Sequence, residues 1–210
     1  MASVKVKICG ITNWTDAKRA VDEGADFLGF NFYPLSPRYV DPAKARPIAR
    51  RLPRGIVTVG VFVNQREAVI LEIARALGLG YLQLHGDESP DIVSRLGRTV
   101  SVIKAFQVNP PFRAARLVAF PASAFLLDGF SRSRRGGTGN PFEWRIARYA
   151  KRYGRIFLAG GLRPDNVAAA IRTVRPYAVD ICSGVEKAPG RKDPSRIRDL
   201  MQAVRSTGAK

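Results

Sequence analysis

Apolar residues recur at every second position in short runs and at three- and four-residue spacing in longer ones, and the two patterns alternate from one end of the chain to the other. The short runs predict strands over 4–9, 26–32, 56–63, 80–84, 100–106, 123–128, 155–159 and 177–182. The longer ones predict helices over 14–23, 42–51, 65–77, 88–96, 110–118, 142–152, 164–173 and 194–204. Start signals support three of these helices: Thr15-Asp16, Asp41-Pro42, and Asn64 ahead of Gln65-Arg66-Glu67. Eight strand-helix units in succession imply a parallel sheet covered by helices.

With 210 residues the chain is short for eight such units, but so regular an alternation predicts a closed (β/α)8 TIM barrel formed by one catalytic domain over 1–210. A doubly wound open sheet is the alternative. Both folds put chemistry at the C-terminal ends of the strands. The strand exits carry Cys9-Gly10, Val63-Asn64, His85-Gly86-Asp87, Asp128-Gly129, Gly160-Gly161 and Cys182-Ser183-Gly184, whereas the opposite ends carry plain turns such as Gly78-Leu79-Gly80.

A hydrophobic fraction of 46% is enough for a real core. The formal net charge of +18 suggests an anionic partner. By itself the charge does not choose among a nucleic acid, an acidic membrane surface and a small substrate carrying phosphate and carboxylate; the arginines and lysines are scattered over the predicted helices without an aromatic-interleaved stripe, so a solvated basic surface is the plainer reading and no nucleic acid is expected. No apolar run reaches membrane-spanning length, and Lys5 and Lys7 interrupt the first apolar segment. No membrane association is therefore expected, and a cytoplasmic location follows by default. Two distant cysteines and a single histidine predict no structural metal and no obligatory disulfide.

That scarcity narrows the candidates for acid, base and nucleophile. Cys9, at the tip of the first strand, is either a buried small hydrophobe or a group placed for chemistry. Asp128 leaves the apolar run Ala124-Phe125-Leu126-Leu127, where a carboxyl can hold a proton near neutral pH, or else caps the loop that follows. That loop, from Gly129 to Pro141, is long enough to act as a lid. Arg38, in the proline-stiffened Ser36-Pro37-Arg38, either clamps a carboxylate or is one more surface arginine. His85 and Asp180 reach the rim of strands 4 and 8, either as substrate contacts or as hydrogen-bonding structural residues. Gly137 and Gly139, Gly160 and Gly161, and Ser183 and Gly184 form three loops whose backbone N–H groups can approach a phosphate.

Together, Lys7-Ile8-Cys9-Gly10-Ile11-Thr12, Phe32-Tyr33-Pro34-Leu35-Ser36-Pro37-Arg38, Gln83-Leu84-His85-Gly86-Asp87-Glu88, Leu127-Asp128 with Gly136-Gly137-Thr138-Gly139, Leu158-Ala159-Gly160-Gly161-Leu162 and Ser183-Gly184-Val185-Glu186 resemble the phosphoribosylanthranilate isomerase family of tryptophan biosynthesis. The resemblance implies a cofactor-free barrel, monomeric or homodimeric, that performs an Amadori rearrangement. Asp128 is then the general acid and Cys9 the general base, Arg38 holds the anthranilate carboxylate, and the glycine loops hold the sugar phosphate. The pattern departs at Leu35, where the family often has lysine, and at Cys182, where it often has serine. If the barrel brings Cys9 and Cys182 together, oxidation can couple them.

Overall fold

The computed structural model describes residues 4–109, 111–129 and 141–208. Eight strands, β1 (Lys5–Cys9), β2 (Phe27–Asn31), β3 (Val57–Phe62), β4 (Tyr81–Leu84), β5 (Ser101–Val108), β6 (Ala124–Gly129), β7 (Ile156–Ala159) and β8 (Ala178–Ile181), close into one barrel in sequence order. Every neighbouring pair in it is parallel, and β1 closes on β8 by pairing Lys7 with Asp180 and Ile8 with Ile181. This is the predicted closed form rather than the open sheet.

Helices α1 (Trp14–Asp22), α2 (Pro42–Arg50), α3 (Glu67–Leu77), α4 (Pro90–Gly97), α5 (Pro141–Ala150), α6 (Val167–Val174) and α7 (Pro194–Arg205) connect the strands. Among the described residues no helix is long and apolar enough to cross a membrane. The alternation that marked the strands sorts each one's side chains to two sides. Val4, Val6 and Ile8 pack outward into the core under the helices, so Lys5, Lys7 and Cys9 face the barrel axis. Toward the strands' N-terminal ends the interior is apolar, with Phe27 edge-on to Phe157 at 5.3 Å and to Tyr81 at 6.2 Å. Above that floor the interior turns polar, and the site lies there.

Three expectations need correction. The segment predicted as a helix over 110–118 is a 3-10 turn, Ala114–Ala119, and residue 110 lies outside the described residues. The pair Pro110-Pro111 explains this, because each proline lacks an N–H and disfavours helical backbone at the residue before it. Asn64 does not cap α3, whose N-cap is Arg66 without a side-chain bond. Asn64 instead adopts φ 48° and accepts a hydrogen bond from the Asp87 N–H at 2.7 Å, bracing the β4 exit. For α1 the cap is Asn13, two residues earlier than Thr15, and its side chain accepts from the Asp16 N–H. The Asp41 cap with Pro42 at the helix start is as expected.

One element has no counterpart in the periodicity. A short antiparallel hairpin, β9 (Glu186–Ala188) with β10 (Arg191–Lys192), follows β8 and delivers two charged residues to the site.

Candidate active site

A cavity of about 470 Å³ opens at the C-terminal ends of the strands, and Cys9, Arg38, His85, Asp128, Asp180 and Ser183 all line it. The sequence candidates therefore converge from five different strand exits, those of β1, β2, β4, β6 and β8. Gly160 and Gly161 belong to the same wall. Gly137, Gly139 and the long loop proposed as a lid lie outside the described residues.

The fold makes room for the Cys9 thiol by omitting a side chain opposite it. A Cβ on Gly29 of β2 would stand 2.7 Å from Cys9 Sγ and 3.2 Å from Lys7 Cε. Gly10 turns the chain out of β1 with φ 76°, and a side chain there would press on Arg38 and Cys182. The thiol is buried beside two ammonium groups. Lys7, fully enclosed in the barrel, donates to Asp180 Oδ2 at 2.9 Å and Gln83 Oε1 at 2.8 Å. Lys192, equally buried, donates to the carbonyls of Cys9 and Cys182 and to Glu186 Oε1 at 3.0 Å.

These surroundings set the ionisation of Cys9. A hydrogen bond with the Cys182 thiol favours the thiolate most, burial opposes it, and the charges of Lys7 and then Lys192 add to the first effect against that of Asp180, bringing the pKa down to about 6. Cys182 moves the opposite way, well above the usual thiol range, because it shares its proton with Cys9 and is itself buried. Burial works against the charge on Lys7 too, but Asp180 and the Cys9 thiolate outweigh it and hold the ammonium above the ordinary lysine range. The base of the cavity thus favours the Cys9 thiolate, set among Lys7, Lys192 and Asp180.

Asp128 stands across the cavity at the end of β6, partly exposed, with His85 Nε2 3.8 Å from its Oδ2. A Cβ on Gly160 would come within 2.9 Å of Asp128 Oδ1, so the glycine with φ 94° leaves this carboxyl its place. Gly184 has a similar role between loops, since a side chain on it would collide with the Leu162 carbonyl. Asp180 spends one oxygen on Lys7, while its buried Oδ1 has no hydrogen-bond partner among the described residues. A buried acceptor of that kind costs about 1–3 kcal/mol unless something donates to it, and the residue that carries it lines the cavity.

Arg38 reaches the cavity with its guanidinium already engaged. Its Nε lies 3.0 Å from both carboxylate oxygens of Glu186 and its Nη2 2.6 Å from Oε2. Burial opposes the charge on Glu186, but Arg38 and Lys192 hold its carboxyl below the usual range. Lys7, Gln83, Glu186 and Lys192 are the members that sequence reading passed over. Lys7 and Gln83 were within reach, being two residues before Cys9 and His85 on the same strand face. Nothing local marked Lys192, which meets Cys9 only through the closed fold. Among the described residues no three His, Cys, Asp or Glu side chains gather to hold a metal ion.

A family model, N-(5'phosphoribosyl)anthranilate (PRA) isomerase, matches residues 6–203, from the first strand to the last helix. The chain belongs to the PRA isomerase family. It is thus an enzyme, an isomerase. An N-(5'-phosphoribosyl)anthranilate isomerase of Pelobacter propionicus is 51% identical over 204 residues, covering 97% of each chain. The crystal structure of the PRA isomerase of Thermotoga maritima superposes with a TM-score of 0.89 at 40% identity, covering 97% of this chain and 99% of that one. A PRA isomerase in complex with reduced 1-(o-carboxyphenylamino)-1-deoxyribulose 5-phosphate superposes with a TM-score of 0.85 at 40% identity and the same coverage. Of the two departures from the PRA isomerase pattern, Leu35 is 81% exposed at the surface, whereas Cys182 lies in the site beside Cys9.

Proposed function

We propose that the chain converts N-(5-phosphoribosyl)anthranilate to 1-(2-carboxyphenylamino)-1-deoxyribulose 5-phosphate, an Amadori rearrangement of tryptophan biosynthesis, with Asp128 as general acid and Cys9 as general base. The observation that carries this reading is the pairing of a buried thiol whose pKa falls to about 6 with a carboxyl across the same cavity. Asp128 gives its proton to the furanose ring oxygen as the C1'–oxygen bond breaks, and the anthranilate nitrogen supplies the electrons to form an iminium. That iminium acidifies C2', from which the Cys9 thiolate takes a proton to leave an enolamine, and the enolamine tautomerises to the ketone. Both steps are proton transfers between positioned groups, which contribute typically ~10²–10⁴-fold each.

The other residues bind and orient. Asp180 Oδ1 accepts a sugar hydroxyl, which satisfies its open hydrogen-bonding capacity. The backbone around Gly160, Gly161, Ser183 and Gly184 receives the phosphate at the sector where barrels of this type commonly bind one. Arg38, oriented by Glu186, directs the rest of its guanidinium at the anthranilate carboxylate. His85 contacts the substrate from beside Asp128. Phosphoribosylanthranilate is fluorescent, and its fluorescence is expected to decay on mixing with catalytic amounts of the protein. Unchanged fluorescence at stoichiometric enzyme would overturn the assignment.

A further inference from the structure

His85 ends a line of hydrogen bonds that starts at Lys7. Lys7 Nζ is 2.8 Å from Gln83 Oε1, Gln83 Nε2 is 2.9 Å from His85 Nδ1, and His85 Nε2 is 3.8 Å from Asp128 Oδ2. Each link fixes the next. An ammonium only donates, so the atom of Gln83 that faces Lys7 is its carbonyl oxygen. The other end of that amide is then an NH₂ group, which also only donates, so Nδ1 of His85 must accept. A neutral ring that accepts at Nδ1 carries its proton at Nε2, the nitrogen that faces Asp128.

The backbone around the ring is held as tightly. Lys104 Nζ donates to the carbonyls of Leu84 at 3.3 Å and Gly86 at 2.7 Å, the two residues flanking His85, and to Glu88 Oε2 at 2.8 Å. The charged groups around the imidazole are Lys7 on β1, Glu88 beyond β4, Lys104 on β5, Asp128 on β6 and Asp180 on β8. Burial disfavours the imidazolium most, and Lys7 is the next influence in the same direction, so the ring stays neutral at physiological pH.

We propose that Gln83 is a positioning residue for the acid: it passes the fixed orientation of the Lys7 ammonium to His85 and locks the ring in the Nε2–H tautomer that faces Asp128. This rests on the acid role proposed for Asp128. When Asp128 releases its proton, negative charge grows on its carboxylate, and an N–H aimed at Oδ2 stabilises that charge. The same N–H leaves Oδ1 as the oxygen that carries the proton. At 3.8 Å the contact is longer than a hydrogen bond, and catalytic contacts are often long until substrate is in place.

His85 is the chain's one histidine, so every imidazole signal belongs to it. Protein labelled with ¹⁵N-histidine, observed by two-bond ¹H–¹⁵N correlation at pH 8, is expected to show a protonated Nε2 and a bare Nδ1. In Gln83→Glu a carboxylate faces Nδ1 and can only accept there, so Nδ1 is expected to become protonated. In the same variant kcat is expected to fall by about tenfold or more, with KM within about twofold. Gln83→Met, which removes the donor without adding charge, is expected to give a mixture of tautomers. A wild-type ring protonated at Nδ1 would overturn the proposal, as would a Gln83→Glu ring that keeps the wild-type pattern or its kcat. The wild-type spectrum needs neither a variant nor substrate. A protein with the Nε2–H pattern but no turnover would therefore contradict the isomerase assignment instead, and one with turnover and the other tautomer would contradict only the relay.

Discussion

Cys9 and Cys182 lie level with one another at the tips of β1 and β8, one step beyond the ladder pair Ile8 and Ile181, and the Cys182 thiol is the largest influence holding the Cys9 pKa down. That influence divides two chemically equal groups. Cys182 keeps its proton, with its thiol 3.8 Å from Glu186 Oε1, and Cys9 is the one that favours the thiolate. The serine that often occupies position 182 in the family keeps its proton in the same way.

Replacing Cys182 by alanine removes the largest influence that favours the Cys9 thiolate. Hydrogen bonds to charged groups are worth roughly 1.5–3 kcal/mol, which corresponds to about one to two pH units. The sign follows from the base role: turnover requires Cys9 deprotonated, so kcat/KM rises with pH through the thiol pKa, near 6 in the native protein. Cys182→Ala should move that limb to higher pH, lowering activity at pH 6 far more than at pH 8, whereas Cys182→Ser should leave it nearly in place. A pH–rate profile of the two variants checks this.

The same adjacency predicts sensitivity to peroxide. The Cys9 thiolate attacks hydrogen peroxide to give a sulfenic acid and hydroxide, and the Cys182 thiol then condenses with it, forming a disulfide and releasing water. Treated protein should lose both titratable thiols together with its activity, and dithiothreitol should restore all three. Cys182→Ser should form no disulfide.

Lys7 and Asp180 form an ion pair with the lysine fully buried. Removing one partner of such a pair leaves the other charge uncompensated and costs about 3–5 kcal/mol. Urea unfolding of Lys7→Met at neutral pH should show a loss of that size, and a loss below about 1 kcal/mol would mean that solvent or another group already compensates Asp180.

A methyl group at position 184 would meet the Leu162 carbonyl and push the loops after β7 and β8 apart. Overpacking of this kind costs about 1–3 kcal/mol. Because those loops are assigned to the phosphate, Gly184→Ala should raise KM by about tenfold while largely sparing kcat. Steady-state kinetics, with inorganic phosphate as a competing ligand, measure both.

Much of this molecule was legible in its sequence because the barrel repeats one rule eight times. Alternating apolar residues such as Val4, Val6 and Ile8 declare which side of a strand meets the helices, and the exits then say where Cys9, His85, Asp128 and Asp180 converge. The complementary half of that rule carried the information that was missed. If Val6 and Ile8 point outward, Lys7 shares the inner face with Cys9, and its charge belongs to the site rather than to solvent. The hairpin of Glu186 and Lys192 was not legible, since strands of three and two residues have no periodicity. Lys192 reaches the Cys9 carbonyl across 183 positions of sequence. Arg38 was placed correctly at the cavity, but its partner Glu186 emerges only from that same long-range closure. The 3-10 turn after β5 departs from the helix that apolar spacing predicts there, because two adjacent prolines outweigh that spacing.

The central claim is that Cys9 removes the C2' proton. The most direct measurement is the rate at which Cys9→Ser consumes phosphoribosylanthranilate, followed by fluorescence beside a titration of the same variant with the reaction product. A serine hydroxyl remains protonated at neutral pH, so turnover should fall by at least about 10²-fold, with product affinity close to that of the native protein. Near-native turnover by Cys9→Ser would contradict the assignment of the base.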